Sequence, residues 1–393
     1  MPKVEIDVVP VGELVTYAQT ALRLARGGGR LPIPPHLAAA QSHNPYADPE
    51  DPGLLVARIG DQCVGHIGLI PGRVQIDGRN WKVYWGSALF VDEAHRKSGV
   101  GTFLISRLLS LDIDFVGAEM SRTAERMWRL IGLTKVLGPR TVYSVQLDRV
   151  RSAVGVRASL PQWMEPVGAV IGKAMEVCYP FLRRLLYLAL LRPFRRSLRG
   201  VTVSPVDQLP PEFDDIGTPN DSEKDDHPVE FQRGLEWINW KLAHPWILPE
   251  DQVSPELSEV SDQYYFDLSR PLFALHAFTF REQATGTSRG YLLISVSASR
   301  RHRHTQLKVL DASRDLNAEL ALAMAFRVGW TYQADLLVFS EKLGRRLAET
   351  WIGRRLLRRE VHEYACRPRK GSQFEQNLHR VTVDICDGDY SFT

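Results

Sequence analysis

Apolar and polar positions alternate over residues 4–11, the period of a strand. The spacing becomes helical over 13–25, with Leu14, Tyr17, Ala21 and Leu24 on one face. A loop follows over 27–51, carrying three consecutive glycines and several prolines. Strand patterns resume at 54–59, 63–70 and 74–76, and Asp77-Gly78 is a hairpin-turn signal. A further strand covers 82–91, a helix 99–111, a strand 115–120, a helix 123–131 and a strand 141–146. Beyond residue 200 the order returns: strands at 272–280, 290–297 and 306–310, a helix at 316–333, a strand at 335–339, a helix at 343–359 and a strand at 361–366. The recurrence predicts two structurally related lobes.

Length agrees, because one core seldom grows past roughly 250–300 residues and the chain has 393. Charge divides the chain further. Residues 151–200 carry nine basic side chains against Glu165 and Glu176, whereas 207–230 carry nine acids against Lys224, with four prolines. The expected organisation is therefore a first domain over 1–150, a basic helical connector over 151–200 and a second domain over 201–393. Hydrophobic residues make up 44% and charged residues 24%, which excludes a disordered chain, a collagen and a coiled-coil rod. A net charge of +3 is too small to argue for nucleic acid. The four cysteines, Cys63, Cys178, Cys366 and Cys386, form no CxxC, so neither a disulfide framework nor a metal site is expected. The N-terminus reads as no signal peptide, and no apolar run reaches the roughly 18 residues of a membrane span. A cytoplasmic location, with membrane association left open, is the expectation.

The chemistry concentrates in VDEAHRKSGVGT (91–102), between an apolar strand and an amphipathic helix. Glycines let backbone N–H groups approach an anion, and the first turn of a helix leaves such groups unpaired. Arg96 and Lys97 add positive charge. This segment resembles the GNAT superfamily of N-acetyltransferases, whose signature V-x-P-x-x-R-G-x-G-[IV]-G is met at Val91, Arg96, Gly99, Val100 and Gly101; Glu93 replaces the proline. A second family block fits at 121–133 through Ala124 and Gly132. The resemblance covers residues 1–150 and is faint over 201–393. It implies the acyl-CoA N-acyltransferase fold, an α/β (α+β) architecture with a mixed central sheet flanked by helices, here duplicated.

It further implies an acetyl-CoA or other acyl-CoA co-substrate, with no metal. The pyrophosphate would rest on Lys97, Ser98, Gly99, Val100, Gly101 and Thr102, helped by Arg96. The backbone of Phe90 and Val91 would hold the pantetheine arm and polarise the thioester. The tyrosine that protonates the leaving thiolate in many members is Trp128 here, and a position that sometimes holds a glutamate base is Trp85. Glu119, His66 and Ser87 remain as acid/base candidates, with Glu119, Trp128 and Ser87 taken as the catalytic set.

The second lobe has DASRDLN (311–317) where the first has its glycine turn, so it is expected to bind no acyl-CoA. Its EWINWKLAHP (236–245) resembles a W-R-x-x-x-H-P element of tandem GNAT proteins, while Trp237 and Trp240 also read as a buried helical stripe. FLRRLLYLALLRPFRRSLR (181–199) has six arginines and no acid. It suits either a helix packed between lobes, its arginines meeting 207–230, or a basic helix on an anionic membrane. Helix 343–359 carries six more arginines, without the aromatic interleaving of a nucleic-acid surface. The expected activity is transfer of an acyl group from coenzyme A to a small-molecule amine, such as an amino sugar or a cell-envelope or polysaccharide precursor. The alternatives are a non-catalytic acyl-CoA-binding scaffold and a peripheral-membrane acyltransferase acting on a lipid-linked acceptor.

Overall fold

In the computed structural model, residues 3–117, 135–147, 165–213, 229–298 and 304–383 are described. The N-terminal alternation forms β1 (Glu5–Pro10), followed by α1 (Leu14–Arg26) and α2 (Pro35–Ser42). Then come β2 (Pro52–Ile59), β3 (Gln62–Ile76), β4 (Arg79–Val91), α3 (Val100–Leu109) and β5 (Phe115–Gly117). The β3–β4 hairpin closes at Asp77 and Gly78, whose φ angles of 49° and 73° suit a tight turn with two left-handed residues. Period two sorts the side chains of β2. Leu54 and Val56 join one core with Trp85, Val116 and Trp237, while Leu55 and Ala57 join another with Val100, Leu104 and Phe115.

The chain divides into two compact units, and neither is continuous. One comprises Met1–Arg140, Thr218–Arg270 and His362–Thr393; the other comprises Thr141–Gly217 and Pro271–Val361. In the first, β1 to β4 pair antiparallel in sequence order and β4 pairs parallel with β5. The sheet continues with the C-terminal part of β12 (Leu357–Arg367), antiparallel to β5 from Ala365↔Gly117 to Arg367↔Phe115.

The second unit repeats this plan. Strand β7 (Val201–Val206) pairs antiparallel with β8 (Leu272–Glu282), β8 with β9 (Ser288–Ala298) and β9 with β10 (Thr305–Ala312). Strand β10 then pairs parallel with β11 (Leu336–Phe339), and β11 pairs antiparallel with the end of β6 (Lys135–Gln146). Both units share one succession of strand senses, with a helix, α3 or α6 (Ala318–Thr331), before the parallel strand. The expected mixed, duplicated α/β fold is this one. The compact units divide the chain differently from boundaries at 150 and 200: the first also takes Thr218–Arg270, and each takes its last strand from the opposite half of the chain.

Other expectations are corrected. The loop 27–51 contains α2, which Pro35 starts in the first turn, where its missing N–H costs nothing. Strands 63–70 and 74–76 are one strand. The helix expected over 343–359 is two, α7 (Glu341–Ala348) and α8 (Trp351–Leu356), and Arg358 and Arg359 lie on β12. Thr350 makes the break, its hydroxyl accepting from Gly353 N–H at 3.0 Å. The expected strand residues 118–120 and helix 123–131 lie outside the described residues.

The expected connector contains α4 (Glu165–Leu191), and the end of that helix belongs to the second unit's core through Tyr187, Leu190 and nearby Phe194. Arg183 pairs with Asp335 at 2.8 Å, while residues 214–228 of the acidic stretch lie outside the described residues. Asp335 also accepts from Tyr179 at 2.8 Å and from Thr305 N–H at 3.2 Å. Removing one partner of a buried ion pair strands the other, at about 3–5 kcal/mol. Asp335→Ala is therefore expected to destabilise this unit by that amount, read as a lower denaturant midpoint in equilibrium unfolding.

Candidate active site

Strands β4 and β5 pair from Tyr84↔Phe115 to Gly86↔Gly117. Gly86 is required there, since a Cβ would lie 2.5 Å from Phe115 Cζ. Described β5 ends at Gly117, while β4 continues to Val91. Over 87–91 it keeps its pairing to β3 along the other edge. Asp92 N–H donates to Val64 O at 2.9 Å, so by alternation the Val91 amide faces away from β3. The Val91 amide is thereby left on the edge of β4 that pairs with β5 farther back along the strand.

A bulge interrupts this stretch. Ser87 lies opposite Gly68 and Phe90 opposite His66, so Ala88 and Leu89 together face Ile67. Ala88 has φ 51°, a left-handed conformation uncommon outside glycine. The bulge puts Ser87, Phe90 and His66 on the sheet face that carries Trp85.

The turn after β4 is built from local hydrogen bonds. Asp92 accepts from Ala94 N–H at 3.1 Å, and Ser98 Oγ donates to His95 O at 2.7 Å. Burial opposes ionisation of Asp92, but the Ala94 N–H and the Arg30 guanidinium at 2.8 Å outweigh it and hold the carboxyl below its ordinary range. Gly99 precedes α3 with φ 81°, which a side chain would strain. Phe103 N–H, donating to Gly99 O at 3.0 Å, closes the first helical turn. The N–H groups of Val100, Gly101 and Thr102 therefore have no intrahelical acceptor. This cradle, with exposed Lys97 and Ser98 beside it, fits a pyrophosphate.

Arg96 is exposed but already partnered. It pairs with Glu93 at 2.9 Å, and its Nε donates to Val91 O at 3.3 Å. Glu93, the residue standing in the proline position, thus competes with an incoming anion for this guanidinium.

Of the expected catalytic residues, Ser87 is buried on β4 beside the bulge. Glu119 and Trp128 lie outside the described residues, as do Ala124 and Gly132. Trp85 is a core residue, 4.5 Å from Phe231 and edge-on to Tyr364 at 6.3 Å. Trp237 and Trp240 are the buried stripe of α5 (Leu235–Ala243). Trp237 stacks on Tyr46 at 5.1 Å, and Trp240 Nε1 donates to Ala40 O at 2.7 Å. His66 is fully buried, neither ring nitrogen has a hydrogen-bond partner, and burial drives its pKa down to about 3. It is a neutral core residue and no base. Burial raises the Cys63 thiol to about 11, which removes it as a nucleophile. No group of metal-binding side chains occurs among the described residues.

Arg30 and Tyr265 were not foreseen. The Arg30 guanidinium lies 5.7 Å from the Phe90 ring, and Tyr265 lies 4.6 Å from it. Both come from loops distant in sequence, and no local pattern marks either one.

Residues 27–124 match the model of the Acetyltransferase (GNAT) family. That segment is a GNAT acetyltransferase domain. A search of curated protein sequences gives no match. Among solved structures, the chain is similar to a GCN5-related N-acetyltransferase from Anabaena variabilis, at 9% identity over 93% of this chain and 72% of that one, with a TM-score of 0.45. It is similar to a tandem GNAT protein from the clavulanic acid biosynthesis pathway at 12% identity, over 93% and 98%, with a TM-score of 0.44. It is also similar to Saccharomyces cerevisiae N-myristoyltransferase with bound myristoyl-CoA at 8% identity, over 98% and 90%, with a TM-score of 0.46. These are likenesses of outline and bear on no substrate.

The GNAT domain yields two expectations. Glu93→Gln releases Arg96 and removes a negative charge beside the cradle, so coenzyme A should bind about two- to fivefold tighter, the span of an exposed ion pair. Calorimetry at low and high salt checks this, because screening should shrink the gain. His66 generates the second. Its unfolded form takes up a proton near pH 6.5, whereas the folded form resists until about pH 3. Stability is therefore unaffected by His66 above pH 6.5 and falls, by up to about 1.4 kcal/mol per pH unit, as pH drops through that window. His66→Leu should flatten this part of the stability profile, read as melting temperature against pH relative to the parent protein.

Proposed function

We propose that the protein transfers an acyl group from acyl-CoA to a small-molecule amine, with an amino sugar or an envelope or polysaccharide precursor as the acceptor class. The observation that carries this reading is the conjunction of the Val91 amide turned away from β3, the bulge at Ala88 and the glycine-capped N-terminus of α3 within one strand–turn–helix. Backbone donors at Val100, Gly101 and Thr102 suit the pyrophosphate, and the Val91 amide suits the pantetheine arm and thioester carbonyl, whereas the Phe90 amide, two residues before Asp92, faces β3. The neutral amine adds to that carbonyl, the C–S bond breaks, the thiolate takes a proton, and the amine nitrogen loses one. Ser87 borders the bulge and can hydrogen-bond the acceptor, and Glu119 and Trp128 remain the proposed proton-handling and thiolate-side residues.

His66 stays neutral, so deprotonation of the acceptor falls to the amine's own equilibrium or to Glu119. The second unit retains a bulge in β10, where the register shifts opposite Leu293/Ile294. Its α6 is capped instead by Asn317, whose side chain accepts from Glu319 N–H at 2.7 Å, with no left-handed glycine before it. One acyl-CoA site per chain follows. Calorimetry with coenzyme A should give a stoichiometry of one, and Gly99→Asp should abolish binding. Thiol release from acetyl-CoA with a panel of primary amines then tests turnover. Two sites, or unchanged affinity in a folded Gly99→Asp variant, would sink the assignment; binding without release for any amine would favour the non-catalytic scaffold.

A further inference from the structure

The end of α4 has two opposed faces. Tyr179, Arg183, Tyr187 and Leu190 face the second unit's interior, where Tyr187 donates to Ala334 O at 2.7 Å. On the opposite side, Val177, Phe181, Leu185 and Leu188 are 80%, 66%, 46% and 52% exposed. At 3.6 residues per turn these four fall within an arc of about 80°. Surface apolar residues usually occur singly, and a contiguous row marks a surface made to be covered.

The charge around the row is of one sign. Arg184 borders it, Arg192 lies at its C-terminal end, and Arg195 and Arg196 follow immediately; all four are exposed. None of their side chains has an ion-pair partner among the described residues. No acidic residue occurs between Glu176 and Asp207. Helix α8, which packs against α4, adds Trp351 at 64% exposure, with Arg355 5.7 Å over its ring. Exposed aliphatic residues, an exposed tryptophan and exposed arginines are the composition of an interfacial helix. No helix among the described residues is long and apolar enough to cross a membrane.

We propose that the exposed face of α4 docks on a membrane surface bearing anionic lipids. The apolar row enters the headgroup boundary, and Arg184, Arg192, Arg195 and Arg196 meet lipid phosphates. A second copy docking face to face would set these arginines against their own equivalents, which is why an anionic bilayer suits this face better than a symmetric dimer.

Sedimentation of the full chain with phosphatidylcholine vesicles, with and without phosphatidylglycerol, tests this. Binding is expected with the anionic vesicles alone and should weaken as salt rises. Arg184→Glu combined with Arg192→Glu lies on the surface, leaves the core untouched, and should weaken binding at least about tenfold. Phe181→Ser combined with Leu185→Ser should weaken it at every salt concentration. Coenzyme A stoichiometry and melting temperature, unchanged in both variants, certify folding. Equal binding to both vesicle types, or no binding to either, overturns the proposal. So does a parent dimer that the serine variant converts to monomer without any vesicle binding.

Discussion

Strand β4 stays paired to β3 through the bulge and up to Val91, and much of the candidate site depends on that pairing. A strand held along one edge presents its other backbone groups at fixed spacing, and main-chain recognition is indifferent to side-chain identity at those positions. The bulge at Ala88 shifts the pleat, so that Ser87 and Phe90 share one face although three residues apart. The turn at Asp92–Gly99 then delivers the chain into α3 with its first N–H groups unpaired. Polar donors thus come from the backbone, and the side chains around them are free to vary.

The two units show what survives when one part of this device is lost. Both keep the strand order, the parallel step and a bulge in the fourth strand. The second replaces a left-handed glycine with a side-chain cap, Asn317, which satisfies its own helix. Capping stabilises a helix N-terminus through the same groups that an anion would use, so the two uses exclude one another.

The site was legible in the sequence wherever its parts were contiguous. The glycine turn, the strand before it and the helix after it occupy 91–109, and their periodicities and breakers are local signals. Parts set by tertiary context were not legible. Helix α2 hid in a proline-rich loop because it is only eight residues long and its burial shows no helical stripe against polar positions, so its neighbours supply the stability. The run 343–359 kept helical periodicity through Thr350, whose hydroxyl ends one helix and starts another. Arg30 and Tyr265 reach Phe90 from separate loops, and Trp237 and Trp240 pack in the first unit despite their place late in the chain. His66 was a candidate base by residue type, and only its complete burial removes it from that role.

The last strand of the first unit is the end of β12, and Arg367 there donates to Leu109 O across 258 residues of sequence. Such a contact has an extreme separation, and its loop-closure entropy is met late in folding. During synthesis from the N-terminus, β5 emerges long before its partner exists. Its free edge is then open to pairing with another nascent chain, the usual hazard of an unpaired strand. An isolated fragment ending near residue 150 would carry the glycine turn and much of the domain-defining sequence. It would still lack the strand that closes its sheet.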